Sequence, residues 1–399
     1  MITTGLDRLL RDPAALVGRP YGLLSHAAAL TSTPRTIVEA LAASAAGAPR
    51  RLFSPEHGFW GVEQDMVPSR SERDPFFGIE TISLYGSSEA SLKPSPEAFD
   101  GLEVLLVDLQ DIGNRIYTYA ATAVWMAEAA LAENVEVWVL DRPNPVGGER
   151  VEGNLRRDGF ESFVSAFRLP ALHGLTLGEL VRLEAARRRW DVTGLRVLEL
   201  GGWNREAPDA AGPGWRWRSP SPNMPTPATA WVFTGSVLIE ATELSEGRGT
   251  TRPFELVGSP GLPGAELARR MNELRLPGVV YLPVQFRPQF QKHAGCVCSG
   301  VEIVVIDTIE FPSYRAGIEL LRRVHEVDPA ALRWREAPYE FVSDRPAIDL
   351  LTGGDDFRTL LEAGGDLDGW IASWSRDELA FLAEREPVLL YGGGRSAAH

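Results

Sequence analysis

Three short polar segments of the sequence gather the side-chain types that carry acid–base catalysis and polar ligand binding. The first is Ser54-Pro55-Glu56-His57-Gly58, in which a carboxylate stands beside an imidazole and just ahead of Phe59 and Trp60. A carboxyl group that aromatic neighbours desolvate has a raised pKa, which is the condition for a general acid at neutral pH. We therefore expect Glu56 to donate a proton and His57 to lie in the same site. A surface carboxylate beside a capping histidine is the structural alternative.

The second segment, 108–119, places acids, amides and a guanidinium within one turn-rich stretch. Amides can hold sugar hydroxyls, and arginine suits the bidentate contact with a carboxylate. An Asp–Arg network at a strand end is the structural alternative, and for Asp108 it is equally good. The residues that we assign to the site from this segment are Gln110, Asp111, Asn114, Arg115 and Tyr119.

The third segment, 141–148, contains two prolines that fix its backbone, and it leads directly to Glu152. A rigid loop suits substrate positioning, so Arg142 and Asn144 are predicted to contact the substrate. A proline-braced turn without a binding role is the alternative. Glu152 and Asp111 are the candidates for a second catalytic carboxylate.

Two further loops contribute candidates. His173 precedes a helical pattern and is predicted to face the substrate cleft, whereas Thr176 and Glu179 form the spacing of a helix capping box. Arg248 stands in a Gly-flanked polar loop and is predicted to supply a cation for an anionic substrate group.

The elements that must position these residues follow from the apolar pattern. Short apolar runs alternate with helical spacing, which predicts βαβ units and a mostly parallel sheet. Ligands bind beyond the carboxyl ends of such strands, where the three polar segments fall. The pattern of predicted helices and strands changes after Pro253, so we predict domains at 1–255 and 256–399. The predicted strands of the first domain are 20–25, 51–54, 104–109 and 135–140, and its main helices are 33–46, 119–132, 175–188 and 230–246.

Composition excludes several classes of partner. The chain of 399 residues carries 54 acidic and 40 basic side chains, a formal charge of −14. This charge repels a phosphate backbone and an anionic membrane surface, so nucleic-acid and membrane partners are not expected. The start of the sequence lacks the pattern of a secretory signal, which predicts a cytoplasmic protein. Cys296 and Cys298 are expected to be free thiols.

Missing motifs narrow the chemistry. The sequence has no G-x-G-x-x-G after a strand, no phosphate loop, no G-x-S-x-G elbow and no H-E-x-x-H helix. We therefore expect no nucleotide cofactor and no metal. The acids, amides, arginines and aromatics that remain are the equipment of carbohydrate hydrolysis.

Eight sequence blocks resemble the exo-β-N-acetylmuramidases, a family of peptidoglycan-recycling enzymes. The resemblance implies a Rossmann-like domain, a smaller α/β domain, and a cleft between them for a non-reducing terminal N-acetylmuramic acid, with Glu56 as the leading catalytic carboxylate. The segment 25–29 departs from the family pattern, which puts any substrate contact from that loop in doubt. The blocks are SPEHG (54–58), SLYG (83–86), DLQDIGNRIYTY (108–119), DRPNPVGG (141–148), EGN (152–154), HGLTLGEL (173–180), SPNMPT (221–226) and EGRGTTRPFE (246–255).

The working hypothesis is hydrolysis of a β-linked terminal N-acetylmuramic acid through an oxocarbenium-like transition state. Retention or inversion depends on the carboxyl separation, about 5 Å against about 6.5–9.5 Å, which a sequence does not give. A non-catalytic protein that binds cell-wall sugars and a hydrolase of another linkage are the competing hypotheses. The oligomeric state is left open.

Overall fold

A mostly parallel sheet organises the first half of the protein in the computed structural model, which describes residues 1–206 and 215–392. Within these residues its strands are β1 (Tyr21–Ser25), β2 (Arg51–Ser54), β3 (Glu72–Arg73), β4 (Glu80–Ser83), β5 (Val104–Asp108), β6 (Glu136–Leu140) and β7 (Leu195–Leu198). Their order is β3-β4-β2-β1-β5-β6-β7, and only the β3–β4 pair is antiparallel. The chain runs outward from β1 in both directions, so the sheet switches direction beside β1.

The central strands are apolar on both faces because helices cover both sides of the sheet. Every residue of β1 and of β5 is buried, as expected for internal parallel strands. The Ala-rich pattern that predicted a helix at 119–132 gives α3 (Tyr119–Ala132), whose small side chains allow close packing. The other helices of this half are α1 (Gly5–Arg11), α2 (Ile37–Ala42) and α4 (Leu177–Arg188).

The second half forms a small antiparallel sheet covered by helices. Its strands are β8 (Leu256–Ser259), β9 (Val279–Phe286) and β10 (Cys298–Val305), in the order β8-β10-β9, with Val301 opposite both Val257 and Pro283. The helices are α5 (Pro227–Ser236), α6 (Gly264–Glu273), α7 (Ser313–Val327), α8 (Ala347–Thr352), α9 (Asp356–Ala363) and α10 (Leu367–Arg385).

Helix α10 returns to the first half through Arg385, near its C-terminal end. The guanidinium is buried and donates hydrogen bonds of 2.9–3.1 Å to the backbone carbonyls of Gly148, His173 and Gly174, and a further one to Glu149. Burial lowers the pKa of Arg385 to about 10. The last long helix therefore fixes the loops that follow β6 and precede α4.

The structure confirms the predicted fold class and the predicted strands to within a residue or two. Two helix predictions need correction. The helix predicted at 33–46 is only α2, because Pro34 precedes the cap Thr36, whose hydroxyl accepts from the amide of Glu39. The helix predicted at 230–246 continues after α5 only as a 3-10 turn, Val237–Ala241, and leaves helical geometry at Thr242.

Other sequence expectations have separate outcomes. Cys296 and Cys298 are free, as expected. The boundary near residue 255 stays a prediction. No helix in the described part of the chain combines the length and apolar character that a membrane crossing needs.

Candidate active site

A cavity lies beyond the carboxyl ends of β2 and β5, near the position where the sheet switches direction. The loop after β2 supplies Glu56 and His57, and the segment before α3 supplies Tyr117 and Thr118. The second half closes the cavity with the turn 237–241, the loop 245–254 and the residues 339–340. The free space is about 50 Å³, and the side chains around it are chiefly polar.

Glu56 is held in this cavity by two neighbours. Its carboxylate is 5% exposed, and the Thr118 hydroxyl donates to Oε2 at 2.7 Å. The ring of His57 donates from Nδ1 to the carbonyl of Glu63 at 2.9 Å, which leaves Nε2 facing Glu56 Oε1 at 4.0 Å. Because Thr118 caps α3, the positive end of that helix dipole also lies beside the carboxylate.

Arg248 lies in an acidic part of the cavity wall, which contains Asp65, Glu240 and Glu340. Its guanidinium forms ion pairs with Asp65 and Glu240, lies 3.5 Å from Glu246, and stacks 5.1 Å from the centre of the Phe254 ring. Burial alone would lower the pKa of Arg248, but the surrounding carboxylates raise it above its ordinary value.

Glu340 completes the acidic wall of the cavity. Its Oε2 accepts a hydrogen bond of 2.8 Å from the Tyr85 hydroxyl. Burial, followed by the charge of Glu56, raises the pKa of Glu340 well above its ordinary value. The hydroxyl of Tyr117 is also buried at the cavity and has no hydrogen-bond partner among the described residues.

Backbone strain concentrates at this cavity. His57, Phe254 and Glu340 all line it and adopt left-handed conformations, with φ angles of 69°, 65° and 46°. Such conformations are disfavoured for residues other than glycine and cluster at functional sites. The strain therefore supports the assignment of this cavity as the functional site.

The structure brings together some of the residues singled out from the sequence. Glu56, His57 and Arg248 line the same cavity, although Arg248 is 192 residues from Glu56 in the chain. The remaining nine candidates are not among the residues that line it.

Two of the three candidate arginines are occupied elsewhere. Arg115 donates to the carbonyls of Asn154, Leu169 and Leu351 and is completely enclosed, so it ties loops together. Arg142 forms a buried ion pair with Asp108, so Asp108 takes part in an Asp–Arg network at a strand end, the alternative that its sequence setting left open.

The two candidates for a second carboxylate are buried and do not line the cavity. Asp111 accepts from the amide of Gly113 at 2.8 Å, and Glu152 accepts from the amide of Arg315 at 2.8 Å. Desolvation raises the pKa of each to about 7. Neither is placed beside Glu56, so a catalytic role for them stays a prediction.

The other candidates hold the loops around the site. Gln110 donates to the carbonyl of Pro143, Asn144 donates to that of Leu175, and Tyr119 donates to that of Pro220. Asn114 accepts from the amide of Ile116. His173 accepts from the amide of Leu175, and burial lowers its pKa to about 3, so the ring is neutral at physiological pH.

Several residues of the cavity were missed by sequence reasoning. Thr118, Ser221 and Asn223 lie in blocks that carried the family resemblance, so a closer reading of those blocks offered a signal. Glu240 and Glu340 lie in stretches with no such signal.

Within the described ranges, no group of three or more His, Cys, Asp or Glu side chains is placed to hold a metal ion. The carboxylates of Asp65 and Glu240 have a guanidinium as their counter-ion instead.

Comparison with known proteins adds independent evidence. The family model described as exo-beta-N-acetylmuramidase NamZ matches with its N-terminal part at residues 21–228 and its C-terminal part at 231–391. Peptidoglycan beta-N-acetylmuramidase NamZ of Bacillus subtilis (strain 168) is 35% identical over 391 residues, 98% of this chain and 91% of that protein.

Two solved structures of DUF1343 family proteins from Bacteroides fragilis NCTC 9343 share the fold. One has a TM-score of 0.88 at 29% identity and covers 98% of this chain and 99% of its own. The other has a TM-score of 0.73 at 24% identity and covers 99% and 100%, which supports the fold alone.

Proposed function

Because the chain belongs to the exo-β-N-acetylmuramidase NamZ family, we propose that it releases β-linked N-acetylmuramic acid from the non-reducing ends of peptidoglycan fragments. The observation that carries the site assignment is the position of Glu56. This carboxylate is buried, oriented by Thr118 and His57, and directed at a cavity whose walls come from both halves of the chain.

Glu56 is proposed to act at the anomeric centre. Hydrolysis of a glycosidic bond needs a proton on the leaving oxygen and negative charge beside the oxocarbenium-like carbon, which two carboxyl groups supply together. The oriented Oε1 of Glu56 faces His57 rather than a guanidinium, so it is not neutralised by a permanent cation. A pure sugar-binding protein has no need for such a carboxylate.

Arg248 is the proposed contact for the lactyl carboxylate that distinguishes muramic acid. Of the three arginines named from the sequence, it alone lines the cavity among the described residues. It already faces Asp65 and Glu240, so the substrate anion must share this cation with them. We therefore propose a modest selectivity for muramyl over glucosaminyl sugars.

The leaving glycan is proposed to lie in a neighbouring open cleft of about 440 Å³ that shares His57 with the cavity. The side chain of Trp60 in that cleft presents an aromatic surface of the kind that sugars pack against. The cavity itself has a free volume of about 50 Å³, which is room for only a few water molecules. Its walls must therefore separate to admit the muramyl ring.

The location and the partners remain proposals. We propose a cytoplasmic enzyme that needs no cofactor and binds neither nucleic acid nor membrane, on the strength of its sequence and its formal charge of −14.

The test uses p-nitrophenyl β-N-acetylmuraminide and the variant Glu56→Gln. Loss of a catalytic carboxyl group typically costs about 10²–10⁴-fold in rate, so the variant should be nearly inactive while its melting temperature stays close to wild type. Glu133→Gln, a change at an exposed residue after α3, is the matched control.

Each hypothesis gives a different result. Near wild-type turnover by Glu56→Gln would remove Glu56 from the mechanism. Binding of muramyl sugars without any turnover by the wild-type protein would indicate a binding protein, and turnover only of other chromogenic glycosides would indicate a different linkage.

A further inference from the structure

A tight turn at residues 339–342 carries Glu340 into the cavity. Tyr339 and Val342 exchange two backbone hydrogen bonds of 2.9 Å, and the central residues Glu340 and Phe341 have φ angles of 46° and 67°. Positive φ at both central positions defines a type I′ turn, for which Asn-Gly is strongly preferred. Glu-Phe is a poor sequence for this turn, so its presence needs a reason other than local stability.

The turn presents one carboxylate oxygen to the cavity. Glu340 is 5% exposed, and its Oε2 accepts from Tyr85, a residue of the loop after β4. Its Oε1 forms no hydrogen bond within the described part of the chain. Because Glu56 lines the same cavity, the two carboxyl groups face a common space, which also receives the unpartnered hydroxyl of Tyr117.

The four acids of this cavity have different partners. Asp65 and Glu240 share the guanidinium of Arg248. Glu56 has the Thr118 hydroxyl and the end of the α3 dipole. Among the described residues Glu340 has only a tyrosine hydroxyl as partner, and burial together with the charges of Glu56, Glu240 and Asp65 raises its pKa. Buried acids that face one another do not all ionise, and the least supported one keeps its proton.

We propose that Glu340 is the partner of Glu56 and donates the proton to the departing sugar, an assignment that rests on the proposed function. The proton moves from Glu340 to the glycosidic oxygen as the bond from that oxygen to the anomeric carbon breaks, so the leaving sugar departs as a neutral alcohol. The Glu56 carboxylate supports the positive anomeric carbon, and water supplies the hydroxyl that completes hydrolysis. The other proton of that water returns to Glu340, so both carboxyl groups regain their starting protonation states.

This assignment differs from the sequence-based expectation on two points. The second carboxylate comes from Glu340 rather than from Asp111 or Glu152. The proton donor is Glu340, whose carboxyl accepts only from the Tyr85 hydroxyl among the described residues, whereas Glu56 accepts from Thr118 beside the N-terminal end of α3.

The experiment compares two leaving groups. p-Nitrophenolate leaves without a proton, whereas the sugar alcohol of a muramyl-β-1,4-glucosamine disaccharide needs one. Glu340→Gln should therefore lose about 10²–10⁴-fold in kcat/KM on the disaccharide and much less on p-nitrophenyl β-N-acetylmuraminide. Glu56→Gln should lose activity on both. Glu336→Gln, at an exposed residue of the same segment, is the matched control and should match wild type.

A second variant separates chemistry from folding. Glu340→Asn suits the first central position of a type I′ turn, so it should raise the melting temperature while losing the disaccharide activity. An equal loss on both substrates, or no loss on the disaccharide, in these variants would overturn the role of Glu340. Failure of the wild-type protein to hydrolyse either muramyl substrate would overturn the proposed function instead.

Discussion

Replacement of Glu152 by glutamine is predicted to flatten part of the pH dependence of stability and to spare catalysis. Oε1 of Glu152 accepts from the amide of Arg315, and Oε2 is buried with no partner among the described residues. Desolvation raises the pKa of this carboxyl from its ordinary 4.5 to about 7. The folded state therefore binds more protons than the unfolded state between these two values.

The size of the effect follows from the shift. A group whose pKa is raised on folding stabilises the protein when protonated, and this contribution is lost as pH rises from about 4.5 to about 7. Raising the pKa of Glu152 from 4.5 to about 7 corresponds to roughly 3 kcal/mol, because a tenfold change in proton affinity is about 1.4 kcal/mol. Between pH 4.5 and 7 the titration of Glu152 should lower the free energy of unfolding of the wild-type protein by roughly this amount. In Glu152→Gln this contribution should be absent.

The assay is chemical denaturation at several pH values between about 4.5 and about 8. At each pH the free energy of unfolding of the variant is subtracted from that of the wild type. Subtraction cancels the titration of the other buried acids, and Glu133→Gln controls for the loss of one surface charge. Glu152→Gln should also keep the wild-type kcat/KM, because Glu152 does not line the cavity. A well-folded but inactive variant, or an unchanged stability profile, would refute this reasoning.

Three further variants test the contacts around the site. Thr118→Val removes the hydrogen-bond donor to Glu56. Because a hydrogen bond to a charged group contributes about 1.5–3 kcal/mol, kcat should fall about 10–100-fold. Steady-state kinetics check this, with Thr118→Ser, which keeps the hydroxyl, as the control. Arg248→Gln should narrow the preference for muraminide over glucosaminide by about 10-fold, the lower end of that range because Asp65 and Glu240 share the cation, as measured by kcat/KM on both nitrophenyl sugars. Arg385→Met leaves the carbonyls of Glu149 and His173 without their side-chain donor, so denaturation should show a loss of about 3 kcal/mol or more.

The fold was largely predictable because its signals are local. The apolar runs of β1, β2, β5 and β6 specify internal strands, and parallel pairing places the polar residues that follow them at one edge. Glu56 and His57 are adjacent in the chain, so one loop was enough to reveal them.

The other half of the site was not predictable, because its contacts join distant parts of the chain. Tyr85 and Glu340 are 255 residues apart, and nothing in the stretch around Glu340 marks it as different from a surface acid. Conversely, Arg115 has the residue type and setting of a binding residue, yet it serves three backbone carbonyls. Loop anchoring and ligand binding use the same guanidinium chemistry, so residue type does not separate them.

The position of Arg385 also has a consequence for synthesis on the ribosome. The carbonyl of Glu149 accepts from a donor that lies 236 residues further along the chain. At about 5–20 residues per second, translation delivers that donor about 10–50 s after the loop has emerged. The strands of the larger sheet can pair during this interval, but the carbonyls of Glu149 and His173 stay hydrated until α10 has been made. Nascent chains therefore complete the anchoring of these loops only after α10 has been translated.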